Sequence, residues 1–269
     1  MFHTLYGAEN GLYVVQFMCT LGGVVAEAAF TTAWQRVFNR HAILRSGIHW
    51  EDVDDPLQIV YGECLPTIEF LDWRNVPEGE LTGVSQTFLQ QDRQRGFDLT
   101  QPPLVRIHLI RLAEDRYWLI FTFHHALLDG WSMSPLLQEF FLFYHQPDAA
   151  GPPLPRPYSD YIEWLGQQDT TAAAAYWQQL IADFASPTQI NIDQTSLIPW
   201  DGAQKDPYAE IRQHLPAALY RRLQETARQL QCTINTLVQT TWAFLLSRYS
   251  SELDVVFGTT VSGRPAELS

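Results

Sequence analysis

Apolar residues recur along this chain with two periods, and the switches between them mark out its elements. Residues 11–21 alternate, with Tyr13, Val15, Phe17, Cys19 and Leu21 on one face, as in a half-buried strand. Residues 1–10 before it read as an entry segment without a clear cap, in which Phe2-His3-Thr4-Leu5-Tyr6 resembles the tail of a longer opening helix. After Gly22-Gly23 the spacing changes. Phe30, Ala33, Trp34, Val37 and Phe38 fall at i, i+3, i+4, i+7 and i+8, which predicts an amphipathic helix over 25–40 packed on a sheet. Short strands are predicted at 57–61 and 67–70, a helix at 81–95 with Val84, Phe88 and Leu89 inward, and a strand at 104–112. Glu114-Asp115-Arg116 turns that strand back into a strongly apolar run, Tyr117 to Phe123, making an antiparallel hairpin.

That run ends on two adjacent histidines, His124 and His125. Asp129-Gly130 follows as a turn signal, and Ser134-Pro135 reads as the N-cap and first residue of a helix through Tyr144. Paired imidazoles therefore stand at a strand end before a polar loop, where a rigid scaffold tends to hold catalytic groups. Residues 146–157 are rich in Pro, Ala and Gly and read as an exposed loop. Tyr158 to Trp164 suits a capped helix with Tyr161 and Trp164 in the core, and the Ala-rich 170–184 continues helical. Residues 186–206 are polar and aperiodic, the best boundary in the chain. A strand at 208–214, a helix from Pro216, a helix at 233–247 and a strand at 253–257 complete the pattern.

Composition narrows the class. At 269 residues and 46% hydrophobic, the chain can bury a full core in one large domain or two ordinary ones. A formal net charge of −13 argues against nucleic acid or an anionic membrane as partner. No apolar run reaches the roughly 18 residues of a membrane span, and no signal peptide is evident. Cys19, Cys64 and Cys232 are far apart and odd in number, which fits free thiols in a reducing, cytoplasmic setting. No metal is expected: neighbouring strand side chains face opposite ways, so His124 and His125 do not readily share an ion, and no His or Cys cluster lies nearby.

Two histidines at a strand end are, alone, ordinary core or edge residues. The whole pattern His124-His125-x-x-x-Asp129-Gly130-Trp131-Ser132 resembles the active-site motif of condensation domains of nonribosomal peptide synthetases. It is more loosely similar to the His-x-x-x-Asp of other CoA- and carrier-dependent acyltransferases. Three further stretches, weak singly, resemble elements of the same family in the same order. They are Arg40-His41-x-x-Leu44-Arg45, Tyr158-x-Asp160-Tyr161-x-x-Trp164 and Gly258-x-x-Val261-x-Gly263-Arg264. The resemblance therefore runs the length of the chain.

It implies an α/β fold of the α+β type: a chloramphenicol-acetyltransferase-like lobe with a mixed sheet flanked by helices, plus an incomplete second lobe of the same kind. Mapped here, residues 1–185 are the first lobe, 186–205 a linker and 206–269 the start of the second. Family members are longer, and the missing part weighs against activity of this chain alone. The implied reaction is an amide-forming acyl transfer, in which an acceptor aminoacyl amine attacks a donor thioester carbonyl. Both groups ride on phosphopantetheine arms of donor and acceptor peptidyl carrier domains, beside an adenylation domain, and no cofactor is bound by the domain itself. The resemblance makes His125 the catalytic residue, and an imidazole is suited to take the amine's proton. It implies that Asp129 pairs with an arginine, Arg45 or Arg264. Gly130 is expected to permit an unusual conformation or close approach, and His124 and Trp131 to support structure. Ala126-Leu127-Leu128 resembles the subtype that takes a D-configured donor. The alternatives are a stand-alone CoA-dependent acyltransferase, disfavoured by the three extra elements, and a non-catalytic docking domain, which usually loses the histidines.

Overall fold

The computed structural model describes residues 13–184, 186–190, 213–263 and 265. The opening segment, most of the strand expected at 208–214 and Arg264 lie outside the described residues. Two compact units separate, one reaching to Gly166 and one running from Gln167 to Gly263.

The first unit begins with β1 (Val14–Gly22), then α1 (Glu27–Arg40) and a 3-10 turn (Ala42–Arg45), which enters a hairpin of β2 (Ser46–His49) and β3 (Leu57–Val60). It continues through β4 (Thr67–Asp72), α2 (Leu81–Arg95), β5 (Val105–Ala113), β6 (Arg116–His124), α3 (Gly130–His145) and α4 (Tyr158–Gly166). The main sheet has the order β1-β6-β5-β4. It is mixed: β6 runs antiparallel to β1 and β5, while β4 and β5 are parallel.

Each face of this sheet is covered by different chemistry. Register places Val15 opposite Phe123 and Phe17 opposite Phe121, with Ile107 opposite Phe121 on the other side. This apolar face packs on α1 and α3. All five predicted inward residues of α1 are buried. Trp34 stacks on Phe121 at 5.2 Å and on Phe140 of α3 at 4.5 Å between ring centroids.

The other face carries α2, and here the sequence expectation needs correction. Val84, Phe88 and Leu89 are only half-buried, and the helix buries Ser85 and Asp92 instead. The reason is the polar residues that the strands present. Arg106 donates from Nε to Asp92 Oδ1 at 2.8 Å, Thr122 Oγ1 to Oδ2 at 2.6 Å, and Gln16 Nε2 to Oδ2 at 2.9 Å. The remaining Arg106 nitrogens donate to the carbonyls of Asp92 and Gly96. A buried charge must be paired and hydrogen-bonded, so this cluster dictates how α2 turns.

Other boundaries also move. Tyr13 leaves β1 with a left-handed φ of 64°. Tyr161 and Trp164 are half-buried rather than core, and α4 fully buries none of its residues.

The second unit contains α5 (Thr170–Leu180), α6 (Ala217–Gln229) with Pro216 at its N-cap, and α7 (Ile234–Ser250). Thr233 caps α7 by accepting the Thr236 N–H at 3.1 Å. The strand expected at 253–257 has no ladder partner among the described residues, and Val256 donates its N–H to Thr188 Oγ1 instead. No helix of the described residues is long and apolar enough to cross a membrane.

Candidate active site

Both histidines sit where β6 leaves the sheet. The His124 N–H donates to the Leu104 carbonyl at 3.1 Å and the His125 N–H to the Tyr13 carbonyl at 2.8 Å, so the pair is held from both neighbouring chains. Because side chains alternate across a strand, the two imidazoles enter different surroundings.

His124 lies on the α2 face and is buried, 2% exposed. Its Nδ1 accepts the Ala126 N–H at 3.1 Å, so the neutral ring carries its proton on Nε2. Burial, with help from neighbouring His125, pushes its pKa down to about 4. At neutral pH this imidazole is uncharged and fixed, in keeping with a supporting role.

His125 is exposed on the opposite face. It lines a cavity of about 770 Å3 together with Val15, Gln16, Phe17 and Phe123 from the sheet. The other wall is α3: Gly130, Met133, Ser134, Leu137, Gln138 and Phe141. Residues from one strand end, one edge strand and one helix thus converge on a single open imidazole.

The helix supplying that wall starts earlier than Ser134-Pro135 predicted. It begins at Gly130, and Asp129 is its N-cap. Asp129 Oδ1 accepts the Ser132 N–H at 2.9 Å and the Ser132 hydroxyl at 2.6 Å, while the Asp129 N–H reaches Ser132 Oγ at 3.4 Å. This reciprocal box satisfies amides the first turn would leave bare, and the carboxylate suits the positive end of the helix. Pro135 falls in the second turn. Asp-x-x-Ser was the available signal, and the Asp-Gly turn reading obscured it.

Of the two arginines expected to pair with Asp129, Arg45 does not. Its guanidinium donates to the carbonyls of Phe38 at 3.1 Å, Tyr61 at 2.5 Å and Gly62 at 2.8 Å, tying the end of α1 to the β2–β3 hairpin. Arg264 lies outside the described residues. Gly130 does not take the unusual conformation: its φ is not left-handed, and an added Cβ would meet no protein atom within 4 Å. What its missing side chain provides is open space beside His125. Trp131, expected to support structure, is 52% exposed.

The Arg40 to Arg45 element has a second partner that the sequence did not disclose. Glu139 of α3 is buried and accepts from Arg40 Nε at 2.9 Å, with His41 Nε2 at 3.0 Å. It was visible only as the sole carboxylate in the apolar run from Leu136 to Tyr144. Arg36 and Arg40 further hold the 147–152 loop through the carbonyls of Pro147, Ala149 and Pro152. The ends of α1 and α3, and so the wall carrying the cavity, are fixed to one another.

Known proteins resemble this chain along its whole length. The condensation domain family matches residues 1–269. A linear gramicidin synthase polypeptide of Brevibacillus parabrevis is 41% identical over 272 residues, which cover 100% of this chain and 5% of that protein. Bacitracin synthase 3 of Bacillus licheniformis is 35% identical over 272 residues, covering 100% and 4% respectively. The chain therefore spans only a small fraction of the relatives it matches. Among solved structures, the first condensation domain of the calcium-dependent antibiotic synthetase superposes with a TM-score of 0.73 at 16% identity, over 94% of this chain and 60% of that one. The SgcC5 protein of Streptomyces globisporus gives 0.72 at 20% identity, over 95% and 58%. These last two show a shared fold.

Proposed function

The chain belongs to the condensation-domain family, and from that premise we propose that it is the histidine-bearing part of a nonribosomal peptide synthetase domain that forms peptide bonds. The observation that carries this reading is the open imidazole of His125, at the wall of a cavity and held by backbone bonds on a rigid strand end. The acceptor's amine nitrogen attacks the donor thioester carbonyl. The C–N bond forms and the C–S bond breaks, and the ammonium proton passes to His125 and from the imidazolium to the departing thiolate. An imidazole placed within reach of that proton contributes roughly 10²–10⁴-fold. Asp129 acts on the loop by capping α3 and so positions the wall opposite His125. His124 anchors the strand end.

The substrates arrive on phosphopantetheine arms of donor and acceptor peptidyl carrier domains, in a synthetase that also holds an adenylation domain. Residues 1–185 are assigned to the first lobe, 186–205 to a linker and 206–269 to the start of the second. Ala126-Leu127-Leu128 favours a D-configured donor residue.

The test is peptide-bond formation between loaded donor and acceptor carrier proteins, comparing this chain, a form extended through a full second lobe, and His125→Ala in each. The reading predicts turnover by the extended form and a loss of about 10²–10⁴-fold in its His125→Ala variant. Carrier binding without histidine-dependent turnover would instead make the domain a docking module.

A further inference from the structure

From the chemistry of its walls, we infer that the cavity at His125 is a side-chain pocket for a bulky, uncharged apolar residue on one of the two carried groups, with Leu137 and Phe141 setting its size. This rests on the function proposed above. Met133, Leu137 and Phe141 follow one another at i, i+4 and i+8, so they form one stripe along α3. The helix's other apolar stripe, including Leu136 and Phe140, is already buried against the core that holds Trp34. A helix apolar on two sides needs a partner on each. On this second side Met133 is buried at the edge of that core, whereas Leu137 and Phe141 are only half-buried and, with Val15, Phe17 and Phe123 across from them, border open volume.

Size and polarity narrow the occupant. At about 770 Å3 the cavity falls in the range of roughly 300–1,000 Å3 usual for small-molecule sites. That is more room than a glycyl or alanyl group would fill. Among the described residues no Asp, Glu, Lys or Arg lines it, and the polar side chains beside His125, Ser134 and Gln138, are neutral, since Gln16 turns its amide to Asp92 on the other face. Gln138 Nε2 donates to Ser134 Oγ at 3.2 Å, which engages that pair with one another. A charged side chain entering here would lose its hydration without meeting a counter-charge. Because His125 forms part of the same wall, an apolar side chain seated here lies next to the reacting groups.

The experiment uses the form extended through the second lobe, with glycyl, alanyl, leucyl, phenylalanyl, glutamyl and lysyl thioesters varied first on the donor carrier, then on the acceptor. One of the two series should favour leucyl and phenylalanyl over glycyl in kcat/KM by at least about tenfold, with glutamyl and lysyl lowest. Which series responds identifies the group that enters. Leu137→Trp, which narrows the pocket, should lower the leucyl-to-alanyl ratio about tenfold, and Phe141→Ala should raise phenylalanyl relative to leucyl. Such ratios are unmoved by a loss of folded protein, which scales every substrate alike. Ratios that ignore both variants, or charged groups used as well as apolar ones, overturn the pocket while leaving the condensation reading intact. Binding of non-hydrolysable leucyl- and lysyl-pantetheine amides supplies the same comparison without turnover. A leucyl preference there that Leu137→Trp removes, in a protein that transfers nothing, would uphold the pocket and overturn the condensation reading.

Discussion

The two faces of the first unit's sheet are built from opposite materials. Toward α1 and α3 the contacts are aromatic and aliphatic, with Trp34, Phe121 and Phe140 stacked on one another. Toward α2 they are directional, with Arg106, Thr122 and Gln16 all meeting the carboxylate of Asp92. Apolar packing is tolerant of small voids at its margin, so the first face can leave a cavity at its end. A buried ion cluster has no such freedom, because each unmet group is costly. The adjacent histidines inherit this difference: His125 meets the open margin, while His124 lies buried on the face of the fixed cluster. A one-residue step along a strand is enough to divide the supporting imidazole from the available one.

The most forceful way to break this comparison is to remove one partner of the ion cluster. Asp92→Ala strands the Arg106 guanidinium, whose side chain is 6% exposed, and should cost about 3–5 kcal/mol in denaturant unfolding. Replacing both residues together, as Asp92→Leu with Arg106→Met, should recover a large part of that loss, since no lone charge then remains buried. A single-variant cost below about 1 kcal/mol would mean that the cluster is not what fixes α2.

Much of this contrast was legible only from one side. The α1 stripe was plain because its five core positions lie on one helical face, and the apolar run into His124 has the length and β-rich composition of a buried strand. The ion cluster was not, because apolar periodicity picks out Val84, Phe88 and Leu89 in α2 and carries no signal for the polar Ser85 and Asp92 beside them. Its partners are polar residues in β1, β5 and β6, and strand pairing is invisible until the register is known. Arg45 escaped for another reason: its acceptors are main-chain carbonyls, which every residue carries and no sequence pattern marks. At the site, the histidines and the loop were found, but the helix start was displaced. Ser-Pro and Asp-x-x-Ser both signal a helix N-terminus, and the capping box prevailed because it satisfies amides that Ser134 as cap would leave further down the chain.

Acid sharpens the comparison with a smaller effect. His124 is pushed down from 6.5 to about 4 by burial, so the folded state binds its proton less readily than the unfolded chain. His108 on the same face is also pushed down by burial. The stability that the neutral His124 ring contributes is complete above about pH 6.5 and falls as the pH drops toward 4. Burial alone would raise the Asp92 carboxyl, but Thr122 and Arg106 outweigh it and hold it below its ordinary value. Its contribution is lost further down, as the carboxylate protonates. For His124, a loss on the order of 1–3 kcal/mol between pH 6.5 and 4 is expected from its shift. A His124→Asn variant should flatten that part of the stability curve, and an unchanged slope would remove His124 as its source.

At the margin between the faces, Asp129→Ala removes the α3 cap and should cost about 1 kcal/mol, with Asp129→Asn recovering most of it because an amide oxygen can still accept the Ser132 N–H. An Asn that behaves like Ala would show that the carboxylate's charge matters more than its hydrogen bonds.

The smallest stability effect should come from the residue with the largest proposed effect on turnover. The His125 side chain is exposed, and what secures the residue is its backbone N–H to Tyr13. Truncating it to Ala leaves that bond in place and should move unfolding by no more than about 0.5 kcal/mol. His124→Ala, by contrast, empties a buried site and removes the Nδ1 acceptor of the Ala126 N–H. Its cost should exceed that of His125→Ala by about 1 kcal/mol or more. Unfolding curves of the two variants side by side decide the matter. Equal costs would mean that the strand end treats both imidazoles as structure, and the division of labour drawn from the two faces would fail. A large gap, with activity lost in the variant that stays stable, would place the chemistry on the open face alone.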